Sequence, residues 1–220
     1  MYKLRMLFVK EAQASYISHL DLMRTIQRAF PRTELDIKHT QGYHPHPILS
    51  IVLPLPVGQQ SDCELLDFEV EQDHDGTGIV EKINTGLPTG LRVLCCYPAR
   101  RPVKELCQLQ ADIVLEYDRG VPAGAVQALT ALFQRESLII QKKTKRKELA
   151  DVDIAPMLHR VELTEGAGEI RGTVTVQAQN PGLNPALLEK AIQKELPALM
   201  PDFLRIRRRR ILDENGEDFR

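Results

Sequence analysis

Both halves of the chain reduce to one predicted pattern of strand, helix, two strands, helix, strand, with one further strand between the two helices of each half. In the first half, residues 2–9 are predicted to form a strand, in which Leu4, Met6 and Phe8 alternate with Lys3, Arg5 and Leu7. A helix is predicted to begin after Ser18 and to run to Phe30. The half continues with strands at 34–38, 48–53 and 64–71, a helix at 77–85 and a strand at 91–97. This order restricts the first half to a few topologies, because the helices must cover one face of the sheet.

The second half repeats the pattern. Its predicted elements are strands at 109–117, 137–142, 157–163, 169–178 and 203–211, with helices at 122–134 and 185–196, the latter capped by Asn184. The order predicts an α+β protein made of two tandem ferredoxin-like (βαββαβ) units, a duplication of architecture. The predicted domains are 1–100 and 106–220, separated by a charged linker around Pro102. Pseudouridine synthases use two such sheets, but this chain lacks their catalytic Arg-Thr-Asp signature, so that comparison concerns the fold alone.

The densest motif lies between Tyr16 and Asp67. It reads Y-I-S-H-L-D-L-M-R from residue 16, Q-G-Y-H-P-H-P from residue 41, and P-L-P-V-G from residue 54. Glycines and prolines here constrain the backbone beside titratable side chains, as in functional loops.

This motif resembles the radical-SAM-associated protein family, an uncharacterised group encoded beside, or fused to, cobalamin-binding radical S-adenosylmethionine proteins. Further matching pieces are V-D-I-x-P from Val152, the run from Asn184 to Leu188, and the arginine-rich segment before Leu212. Many relatives carry an arginine just before the first aromatic of the motif, where this chain has Ser15, so no role of that arginine transfers. The resemblance implies a radical S-adenosylmethionine protein as partner and supplies no reaction.

Composition favours a globular protein of the cytoplasm. The 220 residues include 27% charged and 43% hydrophobic side chains, with a formal net charge of −1. The first ten residues have too short an apolar run for a secretory signal, and no stretch approaches the roughly 20 apolar residues of a membrane helix. We therefore predict a cytoplasmic location and no membrane partner.

The four cysteines exclude a cluster-bearing radical enzyme. Cys63, Cys95, Cys96 and Cys107 form no C-x-x-C pair and no metal-type spacing. An iron–sulfur cluster needs closely spaced thiolates, so radical chemistry would occur in another polypeptide. We predict reduced, mostly packed thiols and no cofactor.

The motif supplies a candidate cleft. Its members are His19, Asp21, Arg24, Arg28, Gly42, His44, His46, Ser50, Glu64 and Asp67. Four of the six histidines lie between His19 and His46, a density that suits a metal site, but the commoner outcome is imidazole hydrogen-bonded to backbone, and we predict no metal.

Other cleft members also have two interpretations. Asp21, Arg24 and Arg28 share a helix face and either position a phosphate or form a solvated face with weak ion pairs. Glu64 and Asp67 lie three apart on a strand, so they face opposite sides and make a poor acid–base pair. Gly42 and Gly58 are expected to adopt backbone angles closed to other residues. No phosphate-binding glycine fingerprint occurs.

Two basic segments dominate the local charge. Residues 142–147 and 205–210 each contain five basic residues in six. In the second segment, strand alternation groups Arg205 with Arg207 and Arg209, and Arg208 with Ile206 and Arg210. Such density favours phosphate binding, or else pairing with acidic residues such as Glu69, Glu71 or Glu169. The predicted nucleic-acid contacts are Lys142, Lys143, Lys145, Arg146, Arg205, Arg207, Arg208 and Arg209.

The basic segments predict that the protein binds RNA, and the family resemblance implies that it is an accessory protein acting with a radical S-adenosylmethionine partner. One alternative is an enzyme that acts on a nucleobase or small substrate in the cleft of His19, Asp21 and His44. Another is an adaptor that binds only proteins. Catalytic residues are not assigned.

Overall fold

The computed structural model describes residues 2–143 and 149–220 and divides into two compact units. Unit 1 extends to Glu105 and includes Arg220, and unit 2 spans Leu106–Phe219. Unit 1 contains strands β1 (Tyr2–Lys10), β2 (Leu49–Ile51), β3 (Gln60–Val70) and β4 (Leu91–Pro98), with helices α1 (His19–Ala29) and α2 (Ile79–Asn84). Unit 2 contains β5 (Gln108–Glu116), α3 (Ala125–Phe133), β6 (Ile139–Lys143), β7 (Leu149–Asp153), β8 (Leu158–Glu165), β9 (Glu169–Gln177), α4 (Leu187–Glu195) and β10 (Phe203–Leu212). The predicted α+β class is confirmed.

The four strands of unit 1 lie in the order β4-β1-β3-β2, and each neighbouring pair is antiparallel. One face of the sheet is apolar because alternate residues of β1 and β3 point to it, among them Met6, Leu66 and Phe68. Both helices bury their apolar stripes in the same core, through Ile26 of α1 and Ile83 of α2. The two helices therefore cover one face of the sheet.

Helix α1 begins where the sequence predicts. Ser18 has an extended backbone, and its hydroxyl accepts a hydrogen bond from the Asp21 amide at 3.1 Å. The spacing of apolar residues predicts a core stripe on this helix, formed by Leu22, Met23, Ile26, Ala29 and Phe30. All of these residues are buried in the core except Met23, which is half-buried at its edge. The N-cap and the spacing of the apolar residues are local signals, so this helix can be predicted from the sequence.

The predicted strand at 34–38 is wrong. Only isolated bridges occur in this region, between Ile37 and Val70 and between His39 and Pro47. Residues 38–48 fold back on themselves as a hairpin, with Ile48 N donating to Lys38 O at 2.8 Å. Pro45 and Pro47 have no N–H, so a regular ladder cannot continue through this segment.

The main sheet of unit 2 has the order β10-β5-β9-β8, and each neighbouring pair is again antiparallel. Alternate residues of β5 are buried, from Leu109 to Leu115, and the others are half-exposed. Strands β6 and β7 form a separate two-stranded hairpin. Asn184 acts just outside α4, where its side chain accepts a hydrogen bond from the Ala186 amide.

A β-bulge changes the predicted alternation of β10. Arg207 pairs with Asp112 and Arg208 with Ala111, but the next pair is Arg210 with Gln110, so Arg209 is the extra residue. Arg210 therefore lies on the Arg207 side of the strand, and not beside Arg208 as simple alternation predicts.

Candidate functional site

A row of polar side chains crosses the sheet of unit 1 on the face opposite the helices. The strand register pairs Tyr97 with Arg5, Arg5 with Asp67, and Asp67 with Ser50. Paired residues in antiparallel strands share a face, so one residue from each of the four strands contributes to this polar row. Asp67 and Ser50 belong to the predicted cleft.

Arg5 and Asp67 form a buried ion pair at the centre of the polar row. Arg5 Nε lies 2.6 Å from Asp67 Oδ1, and Arg5 Nη2 lies 3.0 Å from Oδ2, a bidentate geometry. The two residues are only 1% and 2% exposed. Lys3 Nζ reaches Asp67 Oδ2 at 2.9 Å, and Arg5 Nη2 also donates to the Arg101 carbonyl. One carboxylate is thus held between two cations.

Tyr97 ends the polar row on β4. Its hydroxyl is buried, and among the described residues it has no hydrogen-bond partner. Burial raises the pKa of Tyr97 to about 12, and the nearby Arg5 charge partly offsets this effect. The phenol is therefore neutral at physiological pH and retains a proton that it could donate.

Glu64 lies on the other face of β3. It pairs with Phe8 and is fully buried, whereas Asp67 pairs with Arg5. The prediction that these carboxylates face opposite sides is confirmed. Nearby, the buried Lys10 ammonium donates to the backbone carbonyls of Ser15 and Ile17 at 3.2 and 3.4 Å.

The candidate residues of helix α1 are exposed, and Asp21 and Arg24 contact each other near its N-terminus. Asp21 accepts from the Ser18 hydroxyl at 2.7 Å and from Arg24 Nη1 at 3.3 Å. His19 and Arg28 are also exposed. These contacts match the solvated-face interpretation, in which Asp21 completes a helix cap.

The loop histidines contact their own hairpin. His46 Nδ1 lies 3.1 Å from Thr40 Oγ1 and 3.3 Å from the His44 carbonyl oxygen. Gly42 has φ +134° and Gly58 has φ +86°, so the expectation of special backbone angles is confirmed at both. Within residues 2–143 and 149–220, no three His, Cys, Asp or Glu side chains are grouped so that they could hold a metal ion.

The sequence interpretation missed Lys3, Arg5, Lys10 and Tyr97. Arg5 stands at an outward position of an alternating strand, which is typical of a solvated residue. The only available signal was the opposite charge on Asp67, and it becomes informative only when the register of β1 and β3 is known.

In unit 2, two of the predicted arginines, Arg205 and Arg209, pair with carboxylates. Arg209 Nε lies 2.7 Å from Asp112 Oδ2, and Arg205 pairs with Glu116 and Glu169. Arg207 is half-buried, and Arg208 is only 4% exposed on the buried side of the sheet. Lys142 is exposed on β6. The Lys143 side chain, Lys145 and Arg146 lie outside what the structure describes.

All four cysteines are half-buried. Burial raises the pKa of Cys96 to about 12, and it also raises the pKa of Cys95. Thiols with raised pKa values are poor nucleophiles at neutral pH, so neither is suited to nucleophilic catalysis.

A bacterial protein family matches most of the chain. Its profile, described as "Uncharacterized protein conserved in bacteria (DUF2344)", covers residues 3–185. The chain belongs to this family. The match includes the whole 16–67 motif and the polar row of this DUF2344 member. No curated protein matches it significantly.

Solved structures show a likeness in fold. The chain is similar to a chain in the crystal structure of a Cbf5-Nop10-Gar1 complex, with a TM-score of 0.50 and 10% identity. The match covers 96% of this chain and 49% of that one, so the DUF2344 protein spans about half its length. An unknown protein from Galdieria sulphuraria aligns over 93% of this chain and 95% of its own, at 11% identity and a TM-score of 0.27, too low to support an argument.

None of the helices in the described part of the chain combines the length and apolar character that a membrane crossing requires.

Proposed function

We propose that this protein is an accessory RNA-binding protein that acts with a radical S-adenosylmethionine partner. The partner comes from the family resemblance of the 16–67 motif. RNA binding is supported by one structural observation, an exposed sheet face of unit 2 that is rich in arginine.

This arginine face is formed by the half-exposed side of the β10-β5-β9-β8 sheet. Its exposed arginines come from three strands: Arg160 on β8, Arg171 on β9, and Arg205, Arg209 and Arg210 on β10. Their side chains are between 43% and 71% exposed. Guanidinium groups on a rigid sheet are well suited to bidentate contacts with phosphate oxygens.

The carboxylates on this face do not prevent phosphate binding. Arg171 Nε lies 2.5 Å from Glu169 Oε1, and Arg160 Nε lies 2.9 Å from Glu162 Oε1. Exposed pairs of this kind contribute only about 0–1 kcal/mol each, so a phosphate can replace the carboxylate at little cost. The mixed charge also limits nonspecific attraction, which favours a structured RNA of matching shape over any polyanion.

The β6–β7 hairpin carries a further exposed cation of unit 2. Lys142 is exposed near the end of β6, and the basic run 142–147 continues from it along the chain. We leave Arg208 out of the proposed interface because it is buried.

Removing single charges from the arginine face tests the proposal. We expect Arg205→Gln and Arg209→Gln each to weaken binding of structured RNA. Each should also lower the slope of log affinity against log salt by about 0.7–0.9, the contribution of one phosphate contact. Equilibrium binding across a salt series measures both quantities.

Arg135→Gln is the matched control. Arg135 is an exposed arginine of the same unit, and its Nη1 lies 2.7 Å from Glu195 Oε2 at the end of α4. It should retain wild-type affinity and slope. Equal losses in all three variants would mean that only net charge matters, and the arginine face would not be the interface.

We also infer that both units are ferredoxin-like. Two observations support this classification. The sheets have the equivalent strand orders β4-β1-β3-β2 and β10-β5-β9-β8, with antiparallel neighbours. In each sheet, counted along the chain, a helix follows the first strand and the third strand. In unit 2 the β6–β7 hairpin is then an insertion after the first helix.

A catalytic function is the second candidate, and the polar row favours it. A buried carboxylate between two cations, beside a neutral phenol, is a combination found in active sites.

Tyr97→Phe tests this catalytic function without disturbing the fold, because the hydroxyl has no hydrogen-bond partner among the described residues. If the protein is an enzyme acting through Tyr97, cells carrying this variant should lose a modified nucleoside, by mass spectrometry, at unchanged protein stability and RNA affinity. An unchanged nucleoside profile would exclude Tyr97 from catalysis on a nucleobase.

A further inference from the structure

The hairpin at residues 38–48 presents one fully exposed aromatic side chain. Tyr43 is 101% exposed, the highest value among the exposed large apolar residues in the described part of the chain. Its neighbours Gly42 and His44 are exposed as well. A ring this exposed contributes almost nothing to the packing of the fold.

The hairpin holds this tip in a defined position. Lys38 N donates to Glu69 O at 2.9 Å and Glu69 N donates to Ile48 O at 3.2 Å, so both arms are attached to β3. Within the hairpin, Thr40 N donates to His46 O at 2.9 Å, and the His46 amide donates to Thr40 Oγ1 at 3.2 Å. These hydrogen bonds hold the hairpin that carries the aromatic ring, which lowers the entropy cost of ordering the hairpin when it binds a ligand.

The chemistry of the tip favours a nucleobase as ligand. A protein pocket usually receives an aromatic anchor surrounded by other apolar side chains, but residues next to Tyr43 are polar or small. A base presents a flat π-face to the ring, and its edges offer hydrogen-bonding groups that suit His44 and His46. Prolines 45 and 47 restrict the backbone beside them.

We propose that Tyr43 stacks on an unpaired nucleobase of the bound RNA, with His44 and His46 placed to contact its edge. This inference rests on the proposed RNA-binding function. It assigns the two sites different physical roles: the arginine face supplies salt-dependent affinity, and the hairpin tip selects single-stranded nucleotides.

The test compares two RNA probes, a stem–loop with an unpaired loop and a duplex of the same length, across a salt series. We expect Tyr43→Ala to weaken stem–loop binding about 5- to 150-fold at every salt concentration, the loss that corresponds to one stacked base, with an unchanged salt slope. Duplex binding should be unaffected. Tyr43→Phe retains the ring and should restore most of the affinity.

Tyr16→Ala is the matched control, because Tyr16 is also an exposed tyrosine of unit 1 and lies outside the hairpin. It should bind as the wild type does. Unchanged stem–loop affinity in Tyr43→Ala, or equal losses on both probes, would overturn the stacking inference and leave the proposed function intact. If the wild-type protein binds neither probe, the proposed function fails together with the inference.

Discussion

Replacing Asp67 with asparagine is expected to destabilise the protein by about 3–5 kcal/mol, because the change leaves the Arg5 guanidinium as an uncompensated charge in a buried position. The side chain keeps its size, so the loss reports the charge and not a cavity. Urea unfolding followed by circular dichroism measures it. Lys3 loses the same carboxylate partner and, as a second cation, adds to the uncompensated positive charge.

Asp21→Asn makes the same chemical change at an exposed pair. Arg24 and Asp21 are both more than half exposed, so this loss should stay below about 1 kcal/mol. A double variant, Arg5→Met with Asp67→Leu, should recover most of the stability lost in Asp67→Asn, since apolar residues can replace a buried pair at little cost. Similar small losses for Asp67→Asn and Asp21→Asn would contradict the burial of the central pair.

Gly90→Ala is the second substitution for which we expect a large effect. Gly90 has φ +91°, and an added Cβ would lie 2.4 Å from the Glu11 carbonyl oxygen. The clash is with backbone, and Glu11 N also donates to Gly90 O at 2.8 Å, so the two segments cannot separate freely. The left-handed backbone costs about 1–2 kcal/mol and the overlap about 1–3 kcal/mol more. Thermal unfolding should show the combined loss.

Gly58→Ala separates these two contributions. Gly58 has nearly the same backbone angle, φ +86°, but an added Cβ would meet nothing within 4 Å. It should therefore lose only the backbone contribution of about 1–2 kcal/mol. Equal losses at both glycines would show that the Glu11 segment moves aside.

Local patterns in the sequence were enough to predict α1 and its core stripe. The Ser18 cap and the spacing of Leu22, Ile26 and Ala29 act within one helix, so no distant residue is needed to read them. The positive φ of Gly42 and Gly58 was equally readable, because turn chemistry is local. The predicted strand at 34–38 was wrong, because the segment leads into a proline-rich hairpin in which a regular strand ladder cannot continue.

The arginine-rich strand shows where local patterns stop being sufficient. Alternation predicts which residues of β10 share a face, but the bulge at Arg209 moves the residues after it to the opposite face from the predicted one. The carboxylates that pair with Arg205 and Arg209 come from other strands. Bulges and cross-strand partners depend on how strands pair, and the spacing of residues within one strand does not encode that pairing.

The sequence by itself therefore determined the α+β class, the main helix, the mixed and unusually basic character of β10, and the motif that marks unit 1. Only the tertiary structure decided that Arg5 and Asp67, 62 positions apart, form a buried pair within a row that crosses four strands. The physical reason is register: a shift of one residue between β1 and β3 would turn every side chain to the other face and separate the two charges.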